Sequence, residues 1–149
     1  MKELIILKDK RRIKSMSEVE AFENDNNLKL PNDFKEFIVK HEGCRPVAEQ
    51  SYYWVDHETY FELNQILYLR KSELGGASIE AILRGHIENG IEGFIPFAID
   101  SGGWDYNVSV NSETYGQVWV NKFNSGEEET MDYVAPSFNE FINNLKADE

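Results

Sequence analysis

Several residues of the sequence belong to types that can carry catalysis or hold a metal ion, but their spacing assembles no such site. His41, His57 and His86 fit no zinc motif, and a zinc site needs three or four convergent ligands. Asp56, His57 and Glu58 are consecutive, so on a strand the histidine would point to the face opposite to the two carboxylates. Ser101 lies in Asp-Ser-Gly-Gly, which is typical of a tight turn, whereas a nucleophile elbow requires Gly-x-Ser-x-Gly. We therefore predict no catalytic residue, no metal and no cofactor.

Carboxylates are grouped around a second part of the chain. Two aspartates flank a turn at 100–105, and three consecutive glutamates follow at 127–129. A metal site or an acid–base pair made from them is an open alternative, although a chain this acidic brings carboxylates together by chance. Trp104 could anchor a binding partner, because aromatic residues dominate binding hot spots, or it could belong to the core. The predicted partner-binding residues are Asp100, Trp104, Asp105, Glu127, Glu128 and Glu129.

The charge of the chain is unevenly distributed. The 149 residues include 15 basic and 27 acidic ones, for a net charge of −12. Residues 1–14 carry a net charge of +4, so the remainder carries −16. Such a body repels nucleic acid and anionic lipid, whose binding depends on basic side chains, and it attracts a basic protein. Solubility alone is the other explanation for the acidity.

The length and the hydrophobic runs limit the organisation of the chain. A chain of 149 residues corresponds to one domain, and we expect residues 1–149 to form it. The single cysteine, Cys44, excludes an internal disulfide. The apolar run at 4–7 is far shorter than the about 20 residues that cross a membrane and too short for a signal peptide, so we expect a cytoplasmic protein. Residues 1–14 could form a strand or an amphipathic helix.

Apolar periodicity predicts four helices. Ser17 and Glu20 read as a capping box that begins the first helix, which would end at 24–27. The second helix would begin at Pro31 and end at Gly43, a residue able to adopt a left-handed conformation. A third helix is predicted from 78 to 90, with Ile79, Ile82, Leu83, His86 and Ile87 on one stripe. A second capping box, formed by Ser137 and Glu140, begins the last helix.

The intervening segments read as strands. Residues 52–69 look extended, although 63–70 could also be helical. Residues 94–99 form one strand, in which Pro96 indicates an edge or a bulge. Apolar and polar residues alternate from 104 to 110, so one face would be buried and the other wet, and 117–123 returns alongside. We predict an α+β fold with a central twisted, mainly antiparallel sheet and flanking helices.

Several motifs resemble those of one family, in the family's order. Residues 30–38 are similar to its helix start, L-P-x-D-[YF]-K-x-F-[LI], although 41–44 lack the Asn and the second Gly of its following turn. Residues 95–106 resemble its strand and turn, [IF]-x-F-A-x-D-x-G-G-D, with Trp104 inserted before the Asp. Residues 116–119 are similar to its G-x-V-[YW] strand, and 134–142 to its final helix, [VI]-A-x-S-F-x-E-F-[LI]. The chain therefore resembles the SUKH superfamily, which includes fungal cell-wall-assembly regulators and bacterial immunity proteins.

The resemblance implies an α+β fold and a role in binding protein partners, with no catalytic residues to transfer. Its bacterial members bind and neutralise secreted toxins, often nucleases. We therefore expect an immunity protein that binds a cognate toxin, a basic nuclease domain, through an acidic surface. The alternative is a regulatory scaffold of cell-wall assembly or signalling. An enzyme that uses Asp100, Asp105 or His57 is the third interpretation.

Overall fold

The computed structural model describes residues 6–8, 15–71 and 77–148. Five antiparallel strands form the main sheet in the order β5-β6-β7-β8-β9, beside a three-stranded sheet, β10-β3-β4, and the pair β1-β2. The predicted α+β fold with a mainly antiparallel sheet is confirmed. The elements in chain order are β1 (Ile6–Lys8), α1 (Met16–Asn26), α2 (Asn32–His41), β2 (Arg45–Pro46), a 3-10 turn (Ala48–Gln50), β3 (Tyr52–Trp54), β4 (Tyr60–Glu62), β5 (Gln65–Ile66), α3 (Ile79–Glu88), β6 (Phe94–Ile99), β7 (Asp105–Ser109), β8 (Val118–Asn121), β9 (Met131–Ala135), α4 (Phe138–Asn143) and β10 (Leu145–Lys146).

One face of the main sheet packs against α2 and α4 through aromatic side chains. The Phe97 ring of β6 meets Phe34 of α2 at 6.0 Å and Phe138 of α4 at 5.0 Å between centroids, in edge-to-face geometry. Phe37 and Phe141 extend the same cluster and are fully buried. Each buried phenylalanine contributes about 1.5–3 kcal/mol relative to exposure. This cluster fixes the helices on that face.

On the opposite face of the sheet, the prediction that the polar residues of β7 are exposed to solvent is wrong. Asp105, Asn107 and Ser109 are all buried, because α3 packs across this face of the sheet. The stripe of α3 is also narrower than predicted: Ile79, Leu83 and His86 are buried, whereas Ile87 is 65% exposed. Alternation in β7 predicted the two faces correctly but could not show that a helix covers the polar one.

The two predicted capping boxes differ in outcome. The N-cap of α1 is Ser15 rather than Ser17, because Ser15 is the extended residue and Ser17 lies inside the first helical turn, where its hydroxyl bonds that of Ser15 at 2.8 Å. At α4 the Ser137 hydroxyl accepts a hydrogen bond from the Glu140 amide at 3.0 Å, which is one of the two bonds of the predicted capping box. The Glu140 carboxylate accepts a hydrogen bond from the Tyr53 hydroxyl and so joins α4 to β3.

Three alternatives left open by the sequence are decided. Pro96 lies inside the sheet, and the register between β6 and β7 shifts between Pro96 and Ala98, which is the bulge alternative. Residues 63–70 are extended around β5 rather than helical. Of the basic segment 1–14, residues 6–8 form a strand, and the remainder lies outside the described residues. None of the helices formed by residues 15–71 and 77–148 is long and apolar enough to cross a membrane.

Gly43 and Gly90 follow α2 and α3 with φ values of +71° and +76°, which provides a matched pair for a stability test. Alanine at either position adopts a left-handed conformation, at a cost of about 1–2 kcal/mol. At Gly43 the new Cβ would also collide with the Tyr68 ring, whereas the space around Gly90 is open. We expect Gly43→Ala to lower the free energy of unfolding by about 1–3 kcal/mol more than Gly90→Ala, measured by urea unfolding. Equal losses would contradict the packing of Tyr68 on Gly43.

Candidate functional site

The turn between β6 and β7 is built by Asp100. Its Oδ1 accepts hydrogen bonds from the amides of Gly102 and Trp104, at 2.9 Å each. Glu62 of β4 holds the same turn from outside, since its Oε1 accepts hydrogen bonds from the amide of Ser101, at 2.8 Å, and from its hydroxyl. The turn is therefore rigidly placed. It presents the carboxylate of Asp100 and the indole of Trp104.

The β8–β9 loop, residues 122–130, lies at the same end of the sheet as this turn. The Trp104 indole Nε1 donates to Asn124 Oδ1 at 2.5 Å, and the Lys122 ammonium lies 5.6 Å from the Trp104 ring centroid. The glutamates at 127–129 are exposed on the loop. We call residues 100–104 and 122–130 the acidic end. Five of the six predicted residues lie on it, and the sixth, Asp105, lies next to it in the interior.

Asp105 is 4% exposed and binds other protein groups rather than solvent. Its Oδ2 is 2.9 Å from His86 Nε2 of α3 and accepts a hydrogen bond from Asn107 Nδ2 at 2.8 Å. His86 Nε2 also contacts Asn107 Oδ1 at 3.0 Å, and because both neighbours are acceptors this nitrogen carries a proton. On the other side, Asn121 Nδ2 lies 3.4 Å from Asp105 Oδ1, and Asn121 Oδ1 accepts from the Thr130 hydroxyl at 2.6 Å. Asp105 thus connects α3, β7, β8 and the β8–β9 loop.

A groove of about 750 Å³ opens on the α3 side of the acidic end. Phe94 and Trp119, with ring centroids 5.5 Å apart, line it, and Phe123, which is 53% exposed, stands beside them. Its acidic residues are Glu92, Glu128 and Glu129, and no lysine or arginine of the described chain lines it. We call this cavity the α3 groove. It is lined by His86, Asn89, Gly90, Ile91, Glu92, Phe94, Trp119, Asn121, Phe123, Glu128, Glu129, Thr130 and Met131.

A second cavity, of about 480 Å³, opens on the other side of the turn and includes Asp100 and Trp104. Its other lining residues include Tyr52, Tyr60 and Glu62 from β3 and β4, together with Tyr106 and Lys122. We call it the aromatic pocket. Because Trp104 and Asp105 are consecutive on an extended chain, they point to opposite sides, and the two cavities lie on opposite faces of the sheet.

The carboxylates give the aromatic pocket a negative potential. Burial raises the pKa of Tyr106 at the base of the pocket, and the charges of Asp100 and Glu62 raise it further. Burial also raises the pKa of Tyr52, followed in size by the charge of Glu62. A phenol loses its proton less readily when an anion is near, so the carboxylates add to the effect of burial on both pKa values.

The histidines considered from the sequence lie elsewhere or have structural partners. His41 is buried and stacks on Phe37 at 4.4 Å between centroids. His57 is exposed in the β3–β4 loop, where Asp56 Oδ1 accepts two hydrogen bonds from loop amides at 2.8 Å. Within residues 15–71 and 77–148, no group of three or more His, Cys, Asp or Glu side chains could hold a metal.

The comparisons with known proteins identify the family. The profile of the SMI1/KNR4 family (SUKH-1) matches residues 15–144, which is most of the chain. The chain belongs to the SMI1/KNR4 family. No curated protein matches the sequence. The resemblance inferred from the motifs is thus confirmed, and this SUKH-1 domain carries both cavities within the matched residues.

Sequence reasoning missed part of the surface of this SUKH-1 protein. Tyr52, Tyr60 and Glu62 were assigned only to an extended segment, and Glu92 was not singled out. The density of tyrosine and tryptophan in 52–60 was the available signal, because aromatic residues are enriched at interfaces. No pattern in the sequence could place these residues beside the turn at 100–104, since the contact is between distant segments.

The Asp105 network of this SUKH-1 protein predicts a large loss of stability on its removal. Asp105→Ala removes the buried carboxylate that His86, Asn107 and Asn121 share, so we expect the free energy of unfolding to fall by about 2–4 kcal/mol. The control is Asp132→Ala, which removes a partly exposed ion pair with Lys122 of 3.0 Å and should cost less than about 1 kcal/mol. Urea unfolding measures both. Similar losses for the two variants would show that the network is not stabilising.

The potential of the aromatic pocket predicts a titration shift. Glu62→Gln should lower the pKa of Tyr52, because a charge that disfavours the phenolate is removed while the side chain keeps an oxygen for Ser101. Glu128→Gln, the same change on the other face, is the control and should leave the pKa of Tyr52 unchanged. NMR titration of the Tyr52 ring signals measures the pKa. A pKa of Tyr52 that does not respond to Glu62→Gln would contradict the electrostatic coupling.

Proposed function

We propose that this SUKH-1 protein is an immunity protein that binds and neutralises a cognate toxin, a basic nuclease domain, in the cytoplasm. The observation that carries the proposal is the acidic end with its α3 groove. There, exposed carboxylates surround aromatic side chains, and no described lysine or arginine lines the groove. Family membership supports a protein partner rather than a reaction. The proposal assigns no catalytic residue, metal or cofactor.

The charge of the partner follows from the charge of this surface. A nuclease must be basic where it meets the phosphate backbone, since its affinity for nucleic acid comes from cations that displace counterions. An acidic protein can occupy that surface in place of the polyanion. The net charge of −12 also accelerates the encounter with a basic domain. Binding at this surface would block access of nucleic acid to the toxin.

The residues of the acidic end divide into anchors and charges. Trp104 is half-buried, so its indole both packs on the core and presents an edge to a partner, and Phe123 is exposed in the α3 groove. Aromatic anchors of this kind contribute most of the energy of an interface. The run 127–129 supplies charge at the rim, which affects mainly the rate of association and its salt dependence. Asp105 acts from beneath, by fixing β7 against α3.

Expression in a sensitive host tests the proposal. Each neighbouring gene that encodes a large secreted protein is induced with and without this chain, and survival is scored. We expect one neighbour to be toxic, to be neutralised by this chain and to form a stable complex with it on a sizing column. A regulatory scaffold of cell-wall assembly would instead bind an endogenous protein and rescue no neighbour, and that outcome would replace the immunity proposal.

Charge reversal tests the surface within the same assay. The triple variant Glu127→Lys, Glu128→Lys, Glu129→Lys should weaken toxin binding on the order of 100-fold, with a smaller salt dependence, because about 1 kcal/mol is lost for each reversed charge. Trp104→Ala should weaken binding by at least about tenfold. The matched control is Glu20→Lys, Glu36→Lys, Glu113→Lys, which reverses three exposed charges away from the acidic end. Equal affinities for the acidic-end and control triples would place the interface elsewhere.

A further inference from the structure

We propose that the aromatic pocket binds the guanidinium group of an arginine side chain of the partner. The inference rests on the proposed function for the identity of the protein that carries this arginine. It adds a second contact, on the opposite face of the sheet from the α3 groove, with different residues and a defined ligand chemistry. The argument depends on the rings of the pocket, its two carboxylates and the cation that already lies beside it.

Aromatic rings form an accessible wall. The Tyr60 ring meets Tyr52 at 5.4 Å and Trp54 at 4.7 Å between centroids, and Tyr60 is 45% exposed. Phe61 and Trp104 complete the wall on the side of the turn. The negative face of an aromatic ring attracts a cation, and tryptophan and tyrosine are the strongest of these rings. A wall of this composition suits a planar cation better than an aliphatic side chain.

The two carboxylates of the pocket are held in place and retain acceptor capacity. Glu62 uses Oε1 to hold Ser101, and Asp100 uses Oδ1 to hold the amides of Gly102 and Trp104. Their second oxygens, Oε2 and Oδ2, accept no hydrogen bond from any described residue. Because the bonds to the turn fix the orientation of both groups, little entropy is lost when an arginine binds.

A cation of this chain already lies against two rings of the pocket. Lys122 Nζ is 5.6 Å from the Trp104 centroid and 5.9 Å from the Phe61 centroid. Its charge is paired with Asp132 Oδ2 at 3.0 Å, and Asp132 is not among the residues that line the pocket. The rings therefore accommodate a positive charge, and Lys122 leaves the two pocket carboxylates without an ion-pair partner among the described residues.

Arginine fits this chemistry better than lysine. The guanidinium is planar, so it stacks on a ring while its edge donates several hydrogen bonds to carboxylates. It is also less strongly hydrated than an ammonium group, so its free energy of desolvation is smaller. Lysine offers only a point charge, which Lys122 already provides in the lining of the pocket.

Titration of the full chain with N-acetyl-L-arginine amide tests the inference without any toxin. The chain has three tryptophans, so the indole N–H signals in an NMR spectrum report separate places. Trp104 lies in the pocket and Trp119 in the α3 groove. We expect a saturable shift of the Trp104 signal with a Kd on the order of 1 mM, and no shift of the Trp119 signal. N-acetyl-L-lysine amide should bind at least about threefold more weakly.

Two pocket variants and one control make the test specific. Glu62→Gln keeps the oxygen that holds Ser101 but removes the charge, and Tyr60→Leu keeps apolar bulk but removes a ring; each should weaken arginine binding at least about fivefold. Glu128→Gln, the same charge change on the other face, should bind as the unmodified chain does. An unresponsive Trp104, equal shifts of Trp104 and Trp119, or an unchanged Kd for both pocket variants would overturn the inference.

The outcome is separable from that of the proposed function. Rescue of a toxic neighbour without arginine binding would overturn only the pocket inference. Arginine binding without rescue would leave the pocket as a site for arginine and overturn the immunity role. If both hold, Glu62→Gln should weaken the toxin complex about fivefold, whereas Glu58→Gln, on the β3–β4 loop outside the pocket lining, should not.

Discussion

The acidic end of the molecule depends on the hydrogen bonds of one buried group, the carboxylate of Asp105. It binds His86 of α3 on one side and approaches Asn121 of β8 on the other, so one buried group holds a helix, two strands and the base of a loop in register. A buried charge without such partners would cost several kcal/mol, and here the histidine and amide groups supply them. The position of α3 over the sheet, and therefore the α3 groove, follows from this arrangement.

The consecutive residues Trp104 and Asp105 explain why the acidic end has two cavities. On an extended chain their side chains leave on opposite faces. The indole turns towards β4 and forms part of the aromatic pocket, whereas the carboxylate turns towards α3 and contacts His86, which lines the groove. A single turn, held by Asp100 and Glu62, thus determines the placement of both surfaces. Both surfaces therefore lie beside the same turn, on opposite faces of the sheet.

The sequence predicted most helices and strands because their signals are local. Alternation located β7, and Pro96 indicated the bulge that exists in β6. The exposure of the polar face of β7 was predicted wrongly, because alternation reports two faces but not what covers the second one. The turn and the acidic loop were predicted as one patch, and the structure places them at one end of the sheet. The wall of the aromatic pocket could not be predicted, because it comes from pairing between β3 and β4 and their distant contact with Asp100.

Negative charge at the C-terminal end of α3 destabilises the helix. The carbonyl groups at a helix C-terminus carry partial negative charge, so carboxylates such as Glu88 and Glu92 are unfavourable there by about 0.3–1 kcal/mol each. The exposed glutamates of the β8–β9 loop stand across the same groove and add repulsion. In the proposed function, a basic partner relieves this repulsion when it binds, so the same charge that weakens the free protein would strengthen that complex. The pairing of such charge with exposed Phe123 favours an interface over a surface that serves solubility alone.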